Sequence, residues 1–164
     1  MPKRKVIIYT DGSAVSNKNC ESYGLGGYGI YIRIEQDDRL IKELFFREGF
    51  SNTKTGRMEL KAIIEAFKKV KDKLCQVFLY SDSEYALRSV NDGRLWVWEK
   101  LDWKNIANPD LMQEYLMEYR KFRYKPIMKH IKGHQTGDDE NIIGNNIADA
   151  LANYKTQKNF KRDL

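Results

Sequence analysis

Two short apolar runs in this chain each end in an aspartate, and that pattern narrows the possible folds more than any other feature. The first is Val6-Ile7-Ile8-Tyr9-Thr10-Asp11-Gly12-Ser13, the second Val77-Phe78-Leu79-Tyr80-Ser81-Asp82-Ser83. Continuous runs of β-branched and aromatic residues read as strands buried on both faces. Strands of that kind need helices above and below them, which points to an α/β sheet with a parallel portion. In such sheets ligands collect beyond the carboxyl ends of the parallel strands. If the two runs are parallel neighbours, Asp11 and Asp82 lie side by side. Carboxylates that face one another repel, and they persist where divalent cations bridge them.

Two further acids extend the pattern. Glu59 sits in Arg57-Met58-Glu59-Leu60, at the start of a helical repeat, and shares a face with Ile63, Ala66 and Val70. An acid on an apolar face is costly unless paired, capping or metal-bound. Asp149 lies on a late helical segment, Asn145-Asn146-Ile147-Ala148-Asp149-Ala150-Leu151-Ala152. Each acid has an ordinary alternative. Glu59 could serve the helix dipole, Asp11 a turn with Gly12, Asp82 the N-cap of a following helix, and Asp149 a solvated helix face. The case for a site rests on all four together.

The rest of the chain reads as one mixed unit. Gly27–Glu35 alternates, with Tyr28, Ile30, Ile32 and Ile34 on one side and Tyr31, Arg33 and Glu35 on the other. Asp37-Asp38 is a turn, and residues 40–48 return as the second arm of a meander. A long helix is expected over 57–73, with Leu60, Ile63, Ile64, Phe67, Val70 and Leu74 on its apolar face. A strand over 76–81 and a short helix over 83–91 follow. Next come an aromatic, basic segment over 94–104, a helix capped by Asn108 with Pro109 in its first turn, a strand over 127–131, and a helix over about 145–155. This order predicts a five-stranded mixed sheet: an antiparallel β1-β2-β3 meander plus parallel β4 and β5, with helices on both faces. Residues 1–155 form a single domain, and 156–164 read as a basic, flexible tail.

At 164 residues, 41 % apolar and 32 % charged, the chain can bury a full core and is too apolar to be disordered. No apolar run approaches the length of a membrane span, and no signal peptide is readable behind the basic N-terminus. Two separated cysteines, Cys20 and Cys75, suit free thiols in a reducing compartment, so a cytoplasmic location is expected. The net charge of +6 is concentrated at the two ends, and residues 6–154 balance at 22 basic and 22 acidic side chains. With the four acids set apart as a site, the remainder is positive. A basic surface around an acidic centre suits a polyanionic substrate.

The motifs Tyr9-Thr10-Asp11-Gly12-Ser13, Gly26-Gly27-Tyr28-Gly29, Arg57-Met58-Glu59-Leu60 and Tyr80-Ser81-Asp82-Ser83-Glu84-Tyr85 resemble type 1 ribonuclease H. So do Lys132-Gly133-His134 and the run from Asn145 through Asp149 to Ala152. They occur in the family's order and span nearly the whole chain. The resemblance implies an endonuclease that hydrolyses the RNA strand of RNA–DNA hybrids and leaves 5′-phosphate and 3′-hydroxyl ends. It also implies two Mg²⁺ ions, with Mn²⁺ as a substitute, held by Asp11, Glu59, Asp82 and Asp149. His134 matches the family's mobile catalytic histidine. Gly12, Ser13, Asn17, Thr55, Arg57, Trp103, Lys104 and Asn145 match substrate-contacting positions. A monomer with no membrane partner is expected. A ribonuclease H domain of retroelement or phage origin, or a DNA-acting nuclease of the same superfold, is the alternative.

Three departures from the family pattern stand out. The family's two minor-groove-reading amides before the helix are replaced by Thr55-Gly56. The basic protrusion is shorter, and between Trp103 and Asp110 only Lys104 is basic. The loop over 16–25 is longer than the family's compact glycine turn. Of the tryptophans, Trp98 and Trp96 are expected to be buried and Trp103 partly exposed.

Overall fold

The computed structural model describes residues 3–15 and 23–164. Six strands and five helices follow the order β1 (Arg4–Ala14), β2 (Gly24–Gln36), β3 (Arg39–Thr53), α1 (Thr55–Lys69), β4 (Gln76–Ser81), α2 (Glu84–Asn91), α3 (Arg94–Lys100), α4 (Pro109–Arg120), β5 (Ile127–His130), α5 (Glu140–Ala152) and β6 (Phe160–Arg162), with a short 3₁₀ turn at Tyr154–Thr156 before β6. The strands form one mixed sheet in the order β5-β4-β1-β2-β3-β6. β1 pairs antiparallel with β2 and parallel with β4, and β5 runs parallel to β4. The expected arrangement is therefore present, with one strand more than expected.

Side-chain alternation along the strands divides the molecule. Val6 and Ile8 of β1, Ile30 and Ile32 of β2, and Val77 and Leu79 of β4 face a large core covered by α1 and α4. Tyr9 and Tyr31 point to the opposite face, where Ala148 of α5 covers them. The helices thus lie on both faces, as a central strand with apolar residues on both sides demands. Asp37 and Asp38 take φ values of 51° and 61°. This is the left-handed pair of a two-residue hairpin, whose twist matches that of its strands.

Several element ends differ from expectation, each for a local reason. α1 stops at Lys69, because Lys73 Nζ donates to the Phe67 carbonyl and Asp72 accepts the Leu74 amide in a turn. Leu74, assigned to the helix by its spacing, is 66 % exposed. Asp82 does not cap α2; Ser83 does, accepting from the Ala86 amide. Asn108 precedes α4 in a left-handed conformation, and its side chain makes no cap bond. α5 begins at Glu140, five residues before the expected start, because Asp139 caps it through the amides of Asn141 and Ile142. Trp96 and Trp98 are only partly buried, as is Trp103, and all three pack against the main core.

The C-terminal segment also departs from expectation. Residues 160–162 add parallel to Gly49–Ser51 of β3 as the sixth strand, and the Asp163 amide continues the pairing to the Ser51 carbonyl. The Asp163 carboxylate is 1 % exposed, against the guanidinium of Arg57. A count of charges cannot register such pairing, and it was the basic composition of 156–164 that suggested a loose tail.

Phe67 is fully buried and stacks edge-on to Phe122 between α1 and the segment after α4. Phe67→Ala is expected to lower the unfolding free energy by about 3–5 kcal/mol in a denaturant titration. A loss below about 1 kcal/mol would mean that the α1 layer repacks around the gap.

Candidate active site

The site lies where two strands of unequal length part company. β1 and β4 are paired up to Tyr9 and Tyr80, after which β4 ends at Ser81. β1 continues to Ala14 with β2 alone as its neighbour. Asp11 is therefore inside a strand, held rigidly by β2, while its β4 side opens. The same register sets Asp82 beside it, just past the end of β4. Asp11 is 7 % exposed, and Glu59 and Asp82 are partly buried.

Two glycines bring the helices close enough to deliver their acids. A β-carbon at Gly12 would lie 2.3 Å from the Glu59 amide nitrogen and 2.5 Å from the Met58 carbonyl carbon. Only a residue without a side chain lets the first turns of α1 cross β1 there, and that crossing puts Glu59 next to Asp11. On the other face, a β-carbon at Gly29 would lie 2.3 Å from the Ala148 carbonyl oxygen. Gly29 is the β2 residue opposite Asp11, so its bare backbone lets α5 settle against β2 and bring Asp149 in. One carboxylate oxygen from each of Asp11, Glu59 and Asp82 lies within 4.8 Å of the others. Asp149 approaches Asp11 closely enough to hydrogen-bond with it.

The electrostatics follow from this crowding. Burial, then the charge of Asp82 and the hydrogen bond and charge of Asp149, push the Asp11 carboxyl up to about 9. Glu59 is pushed up to about 7, first by burial and also by Asp82, against an opposing hydrogen bond from Ser83. Asp82 is raised by burial and by Asp149, while the neighbouring imidazole of His134 pulls the other way. Three crowded carboxyls, Asp11, Glu59 and Asp82, that resist ionisation are unstable in isolation and suit a bound cation. Among the described residues the donors of this cluster are all carboxylate oxygens, the donor type that hard divalent cations take.

The remaining expected residues differ in where the fold puts them. His134 stands close enough to Asp82 to act on its charge, in an exposed loop with left-handed backbone (φ 55°). Asn145 is 2 % exposed, one helical turn before Asp149, and its Oδ1 has no hydrogen-bond partner among the described residues. Thr55 opens α1 and Lys104 is exposed. The hydroxyl of Ser13 is already used: it donates to the Ala152 carbonyl at 2.6 Å and accepts from the Tyr154 amide. Arg57 is a correction. It is 4 % exposed and bound to Asp110, Asp163 and Asn108, so its side chain is not available to a substrate. Asn17 lies outside the described residues.

Ser83 was missed as a part of the site. Its hydroxyl caps α2 and also bonds Glu59, which ties the end of β4 to α1. Its position directly after Asp82, at the start of a helical pattern, is the signal that could have identified it.

A family model described as RNase H matches residues 3–157. A protein named Ribonuclease H from Caldicellulosiruptor saccharolyticus is 35 % identical over 155 residues, covering 91 % of this chain and 94 % of its own. Ribonuclease H of Thermus thermophilus is 33 % identical over 145 residues, covering 85 % and 79 %. Among solved structures, LC9-RNase H1, described as a type 1 RNase H with the type 2 active-site motif, superimposes with a TM-score of 0.76. It is 22 % identical and covers 93 % of this chain and 72 % of its own. The foamy viral protease-reverse transcriptase, solved in complex with dsDNA, gives 0.68 at 25 % identity, with 90 % of each chain covered.

A carboxyl whose value is raised by folding binds its proton more tightly in the folded chain. Its stability penalty is absent below the unfolded value and is fully developed above the folded one. With Asp11 raised to about 9 and Glu59 to about 7, the Tm of the metal-free protein should fall as pH rises from about 5 to about 9. Asp11→Asn should raise Tm at the alkaline end and change it little at the acidic end. Added Mg²⁺ should recover more Tm in the wild type than in this variant. Melting curves with chelator and with Mg²⁺ provide the check, and a wild-type Tm that is flat with pH and unmoved by metal would contradict it.

Proposed function

The chain belongs to the ribonuclease H family, and we propose that it cuts the RNA strand of RNA–DNA hybrids with the help of divalent cations held by Asp11, Glu59, Asp82 and Asp149. By family and fold it is a hydrolytic nuclease. One observation carries the reading of its site: three carboxylates from β1, α1 and the end of β4 present oxygens within 4.8 Å of one another, with Asp149 beside them.

Bound divalent cations supply positive charge at the attacking and departing oxygens of a phosphodiester and so stabilise in-line displacement at phosphorus. The chain's own residues prepare that step. Asp11 and Asp82 are fixed by the sheet, so the cage does not need to form when substrate arrives. Glu59 is positioned by the Gly12 crossing and the Ser83 hydroxyl. Water attacks the phosphorus, the bond to the 3′ oxygen breaks, and the departing oxygen must gain a proton. His134, beside Asp82 on an exposed loop, is placed to carry that proton. The products are a 5′-phosphate and a 3′-hydroxyl.

Discrimination of RNA from DNA falls on the 2′-hydroxyl, because phosphates carry no such information. The backbone near Gly12, Ser13 and Glu59 can read it without a dedicated side chain. The DNA strand lies toward the first turn of α1, with Thr55 and Gly56, and toward the end of α3 and the connection after it, with Lys100, Trp103 and Lys104. A β-carbon at Gly56 would have Tyr85 as its nearest neighbour, at 3.9 Å, so this wall is open.

The direct test is cleavage of an end-labelled RNA–DNA hybrid with Mg²⁺, beside RNA–RNA and DNA–DNA duplexes and a chelator control. Cleavage of the hybrid RNA alone is expected, with loss on the order of 10³-fold or more in Asp82→Asn. Cutting of DNA duplexes, or near-wild-type activity in Asp82→Asn, would contradict the proposal. For His134→Ala a lower kcat is expected with little change in KM. The opposite split would make His134 a binding residue.

A further inference from the structure

Arg57 was expected at the substrate surface and is instead the most heavily bonded side chain among the described residues. All five of its N–H groups are engaged. Nε and Nη2 donate to Asp163 at 2.7 and 3.2 Å, Nη1 and Nη2 to Asp110 at 3.1 and 2.8 Å, and Nη1 also to Asn108 Oδ1 at 3.2 Å. Asp163 in turn accepts from Thr53 Oγ1 at 2.6 Å and pairs with Lys61 at 3.0 Å. Asn108 Nδ2 reaches the Tyr85 hydroxyl on α2 at 3.3 Å. A single guanidinium therefore joins β6, α1 and the start of α4, and through Asn108 it reaches α2.

We propose that Asp163 is a positioning residue for the hybrid: through Arg57 it sets the separation between the two walls that hold the DNA strand. The inference rests on the functional reading above. One wall is Thr55-Gly56, immediately before Arg57. The other is the connection from α3 to α4, which carries Trp103 and Lys104 and ends at Asn108 and Asp110. That connection is strained. Asp102, Trp103, Asn105 and Asn108 all have φ between 54° and 59°. A tryptophan in the left-handed region is an outlier that persists only where its surroundings fix both ends. α3 fixes one end and Arg57 fixes the other.

A structural role alone does not explain the choice of residues. A buried guanidinium with two carboxylates gives little net stability over apolar packing of the same volume. What it provides is direction, because bidentate pairs fix angle as well as distance. Glu59 is held separately, by the Gly12 crossing and by Ser83. Loosening the knot should therefore disturb substrate binding and leave the chemical step intact.

Steady-state kinetics on the labelled hybrid, well below Tm, test this. Asp110→Ala is the first variant, since its carboxylate is 57 % exposed and the protein should tolerate its loss. Asp163→Asn and Asp163→Glu follow. In Asp110→Ala and Asp163→Asn, KM should rise about tenfold with kcat within about twofold of wild type. Asp163→Glu, which keeps the charge, should recover part of the loss. The double variant Asp110→Ala/Asp163→Asn should be less than additive, because both act through Arg57. A lowered Tm with unchanged KM in Asp110→Ala, or in a folded Asp163→Asn, would reduce the knot to a stabilising contact and overturn the proposal. Failure of the wild type to cleave the hybrid would instead sink the functional reading and this inference with it.

Discussion

Mutual repulsion among buried carboxylates is the force the rest of this structure has to contain. Three acidic oxygens within 4.8 Å, with a fourth acid adjoining, would separate if their backbones allowed it. The chain prevents this by drawing them from different rigid elements. Asp11 lies within a strand that β2 still pairs, Asp82 directly follows a strand, and Glu59 and Asp149 stand on helices pinned to opposite faces of the sheet. Each helix is pinned by a glycine contact too close for any other residue. The cost of this arrangement appears in the raised carboxyls, and it is the reason a cation is the natural occupant.

The architecture around the site was largely readable in the sequence because it is encoded locally. The apolar runs ending at Thr10 and Ser81 specified buried strands, and alternation along 27–35 specified the meander. What the sequence concealed depends on tertiary pairing. Asp163 reads as one acid in a basic tail, and only the fold shows Arg57 and Lys61 converging on it. Leu74 fits a helical period that the Asp72 turn interrupts. The α5 start was set too late because Asp139, its cap, sits among other polar residues that look like a loop.

Arg57 shows how a motif match can name the right residue for the wrong reason. It belongs to the helix start that bears Glu59, and the family resemblance put it among groups facing substrate. Its burial and its five engaged donors make it part of the frame instead. The frame has more to do here than a long basic protrusion would require of it. With few cations after Trp103 and no amide side chains at Thr55-Gly56, the proposed hybrid binding rests on how well two sparse walls are held apart.

The central claim is that the four acids form one divalent-cation cage. Anomalous diffraction from crystals grown with Mn²⁺ and a non-cleavable hybrid tests it most directly. The account predicts manganese peaks at roughly 2.0–2.3 Å from oxygens of Asp11 and of its partners Glu59, Asp82 and Asp149. Manganese bound elsewhere, with these carboxylates left bare, would contradict it.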